Sequence, residues 1–318
     1  MCTLDDVRAA AARIAPYLPR TPLRPSPRLS DLVGAEVWVK HENHLPTNAF
    51  KVRGGVNLVA QLGEDERRRG LVSASTGNHG QSIAYAARLF GVRATICVPE
   101  GANPLKVAAI RALGAEIVVH GVDFDEAREH CEHLAEAHGY RYVHSGNEPH
   151  LIAGVGTATL ELLESEPSIE VIFVAVGGGS GAAGACVVAK AVAPGTEVIG
   201  VQSEAAPAAF RSWSEGTIVE DRMATAAEGL ATRVGFELPQ QIMRERLDAF
   251  VLVSEDELRT ATVQMIGGTA NLCEPAGAAP LAGALRLRDR LPGRHVALIQ
   301  SGANISPEQL RELLEATL

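Results

Sequence analysis

Aromatic residues are scarce in this chain: 4% of 318 positions, with two tryptophans and four tyrosines. That argues against a binding module built on exposed aromatic rings. No run of about 18 apolar residues occurs, so no membrane-spanning helix is expected. Positive charge is in deficit, with 29 Lys and Arg against 38 Asp and Glu and a formal net charge of −9. Such a chain has no electrostatic basis for binding nucleic acid or an anionic membrane, although backbone amides can still hold an anion locally. The five cysteines, Cys2, Cys97, Cys131, Cys186 and Cys273, are scattered and lack metal-ligand spacing. This pattern fits a reduced, cytoplasmic protein. The start, MCTLDDVRAA, is acidic and has no apolar segment, unlike a signal peptide. No sequence follows residue 318 to form an added regulatory domain, so feedback through one is not expected.

What is present is an alternation of strand and helix patterns, in an ordinary balance of 46% apolar and 21% charged residues. Alanine and glycine are plentiful, as closely packed helices require. The first 20 residues read as a helix, EVWVKHE (36–42) as a strand, and 51–62 as a helix. LVSAS (71–75), ATICVP (94–99), AEIVVHG (115–121) and YRYVH (140–144) then read as four strands. Helices join them: 81–91 ending at Gly91, one capped by Asn103 with Pro104 in first position, and 125–139. Short crossovers of this kind predict a small parallel sheet. The pattern resumes with VIFVAV (171–176), EVIGVQS (197–203), FVLVSE (250–255) and HVALIQS (295–301). The chain reads as two α/β domains, a large one of 1–69 and 147–318 with a small one, 70–146, inserted in it.

Four loops carry chemistry. PTNAFKVRG (46–54) sets Lys51 after Phe50 and before Arg53. A nucleophilic lysine must lose its proton easily, and a flanking aromatic and a nearby cation both favour the neutral amine. Gly177, Gly178, Gly179, Ser180 and Gly181 follow an apolar strand and open a helix. They read as a phosphate cradle, where amides approach an anion at a helix N-terminus, or as a turn that only allows tight packing. Their spacing departs from a dinucleotide fingerprint. STGNHGQ (75–81) could hold a carboxylate at a second helix N-terminus, or be a helix capped by Ser75 or Asn78. SGAN (301–304) sets Ser301 at a strand's carboxyl end, where α/β sheets bind ligands, or is a simple turn. His130 and His133 in HCEH lack a third ligand at a fitting spacing and read as a solvated helix face, so no metal is expected.

PTNAFKVRGG, STGNHGQ, VGGGSG, EPAGA (274–278) and SGAN, in this order, resemble fold-type II pyridoxal-phosphate enzymes, and within them the serine/threonine dehydratase and serine racemase family. The resemblance spans nearly the whole chain. It implies the tryptophan-synthase-beta-like arrangement, two open parallel-sheet domains with pyridoxal 5'-phosphate in the cleft between them, and a homodimer. By position, Lys51 would link covalently to the cofactor, Phe50 lie against its ring, Asn78 bond its phenolic oxygen, and Gly177 to Gly181 bind its phosphate. Ser301 would contact the ring nitrogen and Glu274 face the pocket. Ser75, Thr76, Gly77 and His79 would surround the carboxylate of an amino-acid substrate. The implied activity is ammonia-lyase action on L-threonine, L-serine or a related L-β-hydroxy amino acid, with racemisation, or dehydration of a bulkier substrate, as the alternative. Three departures bear on this: Thr76 where racemases carry serine, Gln202 where a metal-binding member carries an acid, and Ala49 where serine is frequent. Glu204 could substitute as a ligand but is not expected to.

Overall fold

The protein is described by a computed structural model covering residues 2–122 and 124–317. Among these residues ten strands form two sheets. They are β1 (Leu23–Pro25), β2 (Glu36–His41), β3 (Leu71–Ala74), β4 (Ala94–Val98), β5 (Glu116–Val119), β6 (Arg141–Tyr142), β7 (Val171–Ala175), β8 (Glu197–Ser203), β9 (Ala249–Val253) and β10 (His295–Gln300). The larger sheet runs β1-β2-β10-β7-β8-β9 and the smaller β5-β4-β3-β6. Every pairing is parallel except β1 with β2. The fold is thus α/β with parallel sheets. The short β1 is not among the strands read from the sequence.

The inner strands β3, β4, β7, β8 and β10 are almost wholly buried because both faces of each sheet are covered there, whereas the edge strands β1 and β5 are partly exposed. Side chains alternate along a strand, so Val171 and Phe173 of β7 enter one core while Ile172 and Val174 enter the other. Val296 and Leu298 of β10 divide from Ala297 and Ile299 in the same way. Local signals end the helices. Asn103 caps Pro104–Ala112 by accepting from Leu105 N at 3.0 Å, and Gly91 closes Asn78–Phe90 with φ +66°.

Parallel strands all point their carboxyl ends the same way, and that edge gathers the loops. Residues 75–79 follow β3, 177–181 follow β7, and 301–304 follow β10. Lys51 opens the helix Lys51–Val59, and the segment before it runs beside the 301–304 loop. Phe50 N donates to Ser301 O at 2.9 Å and Ala303 N to Asn48 O at 2.9 Å. Asn48 takes φ +52°, a left-handed conformation that asparagine tolerates better than most residues.

Candidate active site

Lys51 lies where both sheets' loops meet. Its Nζ donates to Ser180 Oγ at 2.8 Å and lies 3.4 Å from Ser145 O. Burial lowers its pKa to about 8. The neighbouring Arg53 does not contribute as expected. Its guanidinium turns away and is neutralised by Glu42 (2.6 Å) and Glu161 (2.7 Å), with Lys40 also on Glu161 at 2.6 Å. Desolvation, not a neighbouring cation, makes the Lys51 proton labile. What Arg53 does is root the helix, since it is fully buried within that network.

Packing accounts for two glycines of the loop. A Cβ at Gly177 would meet Gly229 O at 2.3 Å, and one at Gly178 would meet the Phe236 ring at 2.2 Å. Close packing alone therefore demands those glycines. A Cβ on Gly181 would come 3.1 Å from the Phe50 ring, on the lysine side. Gly179 has φ +88°, and the helix Ser180–Val192 starts directly after it. The amides of its first turn have no carbonyl partners within the helix, which leaves them free to bond an anion.

In the 75–79 loop, Ser75 builds the turn. Its Oγ accepts from Gly77 N at 3.2 Å and Gly80 N at 3.0 Å. Thr76 and Gly77 are half-buried beside it. Asn78 is not a cap. Its Nδ2 donates to Glu274 Oε1 at 2.7 Å, a contact between residues 196 positions apart. His79 is buried. Ser73 Oγ gives its one proton to Val143 O at 2.7 Å, so at 3.0 Å it must accept from His79 Nε2–H. Nδ1 is then a bare acceptor, with no hydrogen-bond partner among the described residues. Burial, followed by the charge of Lys51, pushes the ring's pKa down to about 3, so His79 is neutral.

Glu274 is 4% exposed. Burial raises its carboxyl to about 7, against smaller lowering effects from Lys106 and Asn78. It precedes the helix Pro275–Arg286, and its N–H donates to Gly302 O at 3.2 Å. Ser301 is buried at the end of β10. Contacts join the expected residues Lys51, Phe50, Ser180, Gly181 and Ser301, and the pair Asn78 and Glu274 meets them through Gly302 and Asn304 of the loop after Ser301. Four helices begin at this point: Lys51–Val59, Asn78–Phe90, Ser180–Val192 and Pro275–Arg286. Their N-terminal partial charges suit an anionic ligand.

Three contributors lie outside the expected site residues, although Asn304 closes the SGAN motif. Asn304 donates to Asn78 Oδ1 at 2.7 Å. Lys106 pairs with Glu228 at 2.6 Å beside Glu274. Ser145 offers its carbonyl to Lys51. Elsewhere, His130 stacks on His120 with ring centroids 3.9 Å apart. Among the described residues no group of three or more His, Cys, Asp or Glu is arranged to hold a metal ion. Gln202 is fully buried and accepts from Phe210 N at 2.9 Å, while Glu204 lines a separate surface cleft with Arg222 and Glu255.

Comparison with known proteins agrees with this geometry. The chain is 38% identical to an L-threonine ammonia-lyase from Thermotoga maritima, over 100% of this chain and 79% of that one. It is 35% identical to an L-threo-3-hydroxyaspartate ammonia-lyase from Saccharomyces cerevisiae, over 98% of this chain and 96% of the other. The solved structure of serine racemase from Dictyostelium discoideum superposes with a TM-score of 0.90 at 33% identity, over 96% of this chain and 99% of that one. The family model described as pyridoxal-phosphate dependent enzyme matches residues 14–302, and the chain belongs to that family.

Proposed function

We propose that the protein is a pyridoxal-phosphate-dependent ammonia-lyase that converts L-threonine, L-serine or a related L-β-hydroxy amino acid to a 2-oxo acid and ammonia. The observation that carries the reading is Lys51, buried enough to lose its proton near pH 8 and set against Ser180 of the glycine loop. The site's residues suit the cofactor: a glycine loop at a helix N-terminus for a phosphate, a labile lysine for a covalent link, and small neighbours around both.

In this reading Gly177, Gly178, Gly179, Ser180 and Gly181 hold the phosphate. Phe50 would lie against the ring, Asn78 would donate to its phenolic oxygen, and Ser301 would bond its nitrogen. When bound, pyridoxal phosphate supplies the electron sink that makes an amino acid's α-proton removable. The loop of Ser75, Thr76, Gly77 and His79 holds the substrate carboxylate through its amides, with the neutral His79 ring as a wall. Lys51 Nζ, once neutral, takes the α-proton. Glu274, protonated near neutrality, gives its proton to the departing β-hydroxyl. Water leaves across the Cα–Cβ bond and is regained when the released enamine hydrolyses. Ser301 offers a hydroxyl where a carboxylate would hold a charged ring nitrogen, which favours elimination over transamination.

The same reading treats 70–146 as a small domain against the large domain of 1–69 and 147–318, and the protein as a cytoplasmic homodimer. Serine racemisation is the second reading, supported by the likeness to the Dictyostelium enzyme. A panel of L- and D-β-hydroxy amino acids assayed for 2-oxo acid tests the first. L-Threonine and L-serine are expected to yield oxo acid and ammonia in equal amounts, and Lys51→Ala to lose both this turnover and the borohydride-reducible link. Absence of oxo acid from every L-substrate would refute it.

A further inference from the structure

The Asn78 amide has a donor end and an acceptor end, and its neighbours fix which way each points. Oδ1 accepts from Asn304 Nδ2 at 2.7 Å, and Nδ2 donates to Glu274 Oε1 at 2.7 Å. Asn304 is itself locked. Its Nδ2 also donates to Thr47 O at 2.9 Å, and its Oδ1 accepts from Asn48 Nδ2 at 3.5 Å. An amide nitrogen has two protons, and both of those on Asn304 are used. Reversing Asn78 would set its NH2 against the NH2 of Asn304, both of whose protons already point outward, and would take its Nδ2 off Glu274 Oε1. The bond from Asn304 would be lost and two donor groups brought face to face, whichever form the Glu274 carboxyl takes.

We infer that Asn304 is a positioning residue: it holds Asn78 with its donor end turned into the site. Resting on the proposed function, this keeps the Asn78 NH2 turned into the site, with one proton on Glu274 Oε1 and the other available to the cofactor's phenolic oxygen. Asn304 also ties three segments together. Thr47 belongs to the segment before Lys51, Asn78 opens a helix beside the smaller sheet, and Asn304 closes the loop that starts at Ser301. The relay is directional, so a variant that reverses its polarity without changing its shape can test it.

Asn304→Asp is that variant. The new carboxylate has no proton to give, and Asn78 satisfies it by turning its Nδ2 toward it and away from Glu274. The readout is the visible absorbance of the holoenzyme's bound cofactor as a function of pH. Its titration midpoint is expected to move by about one unit, the size of one hydrogen bond's preference for one protonation state. Asn78→Ala should move it in the same direction, and Asn78→Ala with Asn304→Asp no further than Asn78→Ala alone. Asn304→Ala, which removes the donor without adding charge, should give a smaller shift of the same sign and serves if the first variant holds cofactor poorly. A merely structural Asn304 would lower cofactor affinity and leave the midpoint of the bound fraction unchanged. That result, with Asn78→Ala still shifting the midpoint, would overturn the relay alone. If Asn78→Ala leaves the midpoint in place, the role proposed for Asn78 fails and the inference falls with it.

Discussion

Glu274 sets a pH-dependent load on stability that one substitution should remove. The carboxyl is 4% exposed and burial raises its pKa from 4.5 to about 7. The folded protein therefore keeps a proton that the unfolded chain releases between those values. Stability falls as pH rises across this window, and above about 7 the loss is complete and constant. At about 1.4 kcal/mol per pKa unit, the penalty is about 3 kcal/mol. Glu274→Gln keeps an oxygen to accept from Asn78 and cannot ionise. Urea unfolding of the cofactor-free protein should then show the variant more stable than the parent by up to about 3 kcal/mol at pH 8, and nearly equal to it near pH 4.5. The same variant should lose about 10²- to 10⁴-fold in oxo-acid formation, because the proton for the leaving hydroxyl is gone. An equal stability difference at both pH values would refute the argument that this carboxyl is held protonated by burial.

Metal dependence should be weak, because Gln202 is buried with its oxygen committed to Phe210 N; chelator treatment should leave most oxo-acid formation intact, and a large loss restored by magnesium or calcium would point to Glu204 or backbone carbonyls as ligands. Elimination should exceed racemisation of L-serine by a wide margin, since Thr76 is the hydroxyl that the motif sets opposite Lys51 and its extra methyl restricts it; chiral analysis of the remaining serine beside pyruvate release decides, and D-serine appearing as fast as pyruvate would replace the lyase reading with the racemase.

The strands and several helix ends are legible in the sequence because local chemistry sets them. EVIGVQS coincides with β8, and Asn103 with Pro104 marks a helix start in both views. The site's parts are legible as loops at strand ends. Their mutual wiring is not, because it joins distant residues: Asn78 to Glu274, Asn304 to Asn78, and Lys106 to Glu228. Arg53 shows the limit best. Two residues from Lys51, it reads as a cation acting on the amine, yet carboxylates from residues 42 and 161 claim it. Sequence proximity says nothing of which way a side chain turns once a buried counter-charge is available.

The convergence of four helix N-termini on the cleft has a consequence for how such a protein can change. Each terminus contributes about half a positive charge, carried by peptide groups that every residue possesses. The anion-attracting part of the site is thus written in the backbone, inside a chain whose net charge is −9. Replacing side chains around the cleft alters what reacts there but leaves this field in place. Substrate preference can drift by single substitutions while the seat proposed for phosphate and carboxylate persists, which gives the scaffold room to be retuned without being rebuilt.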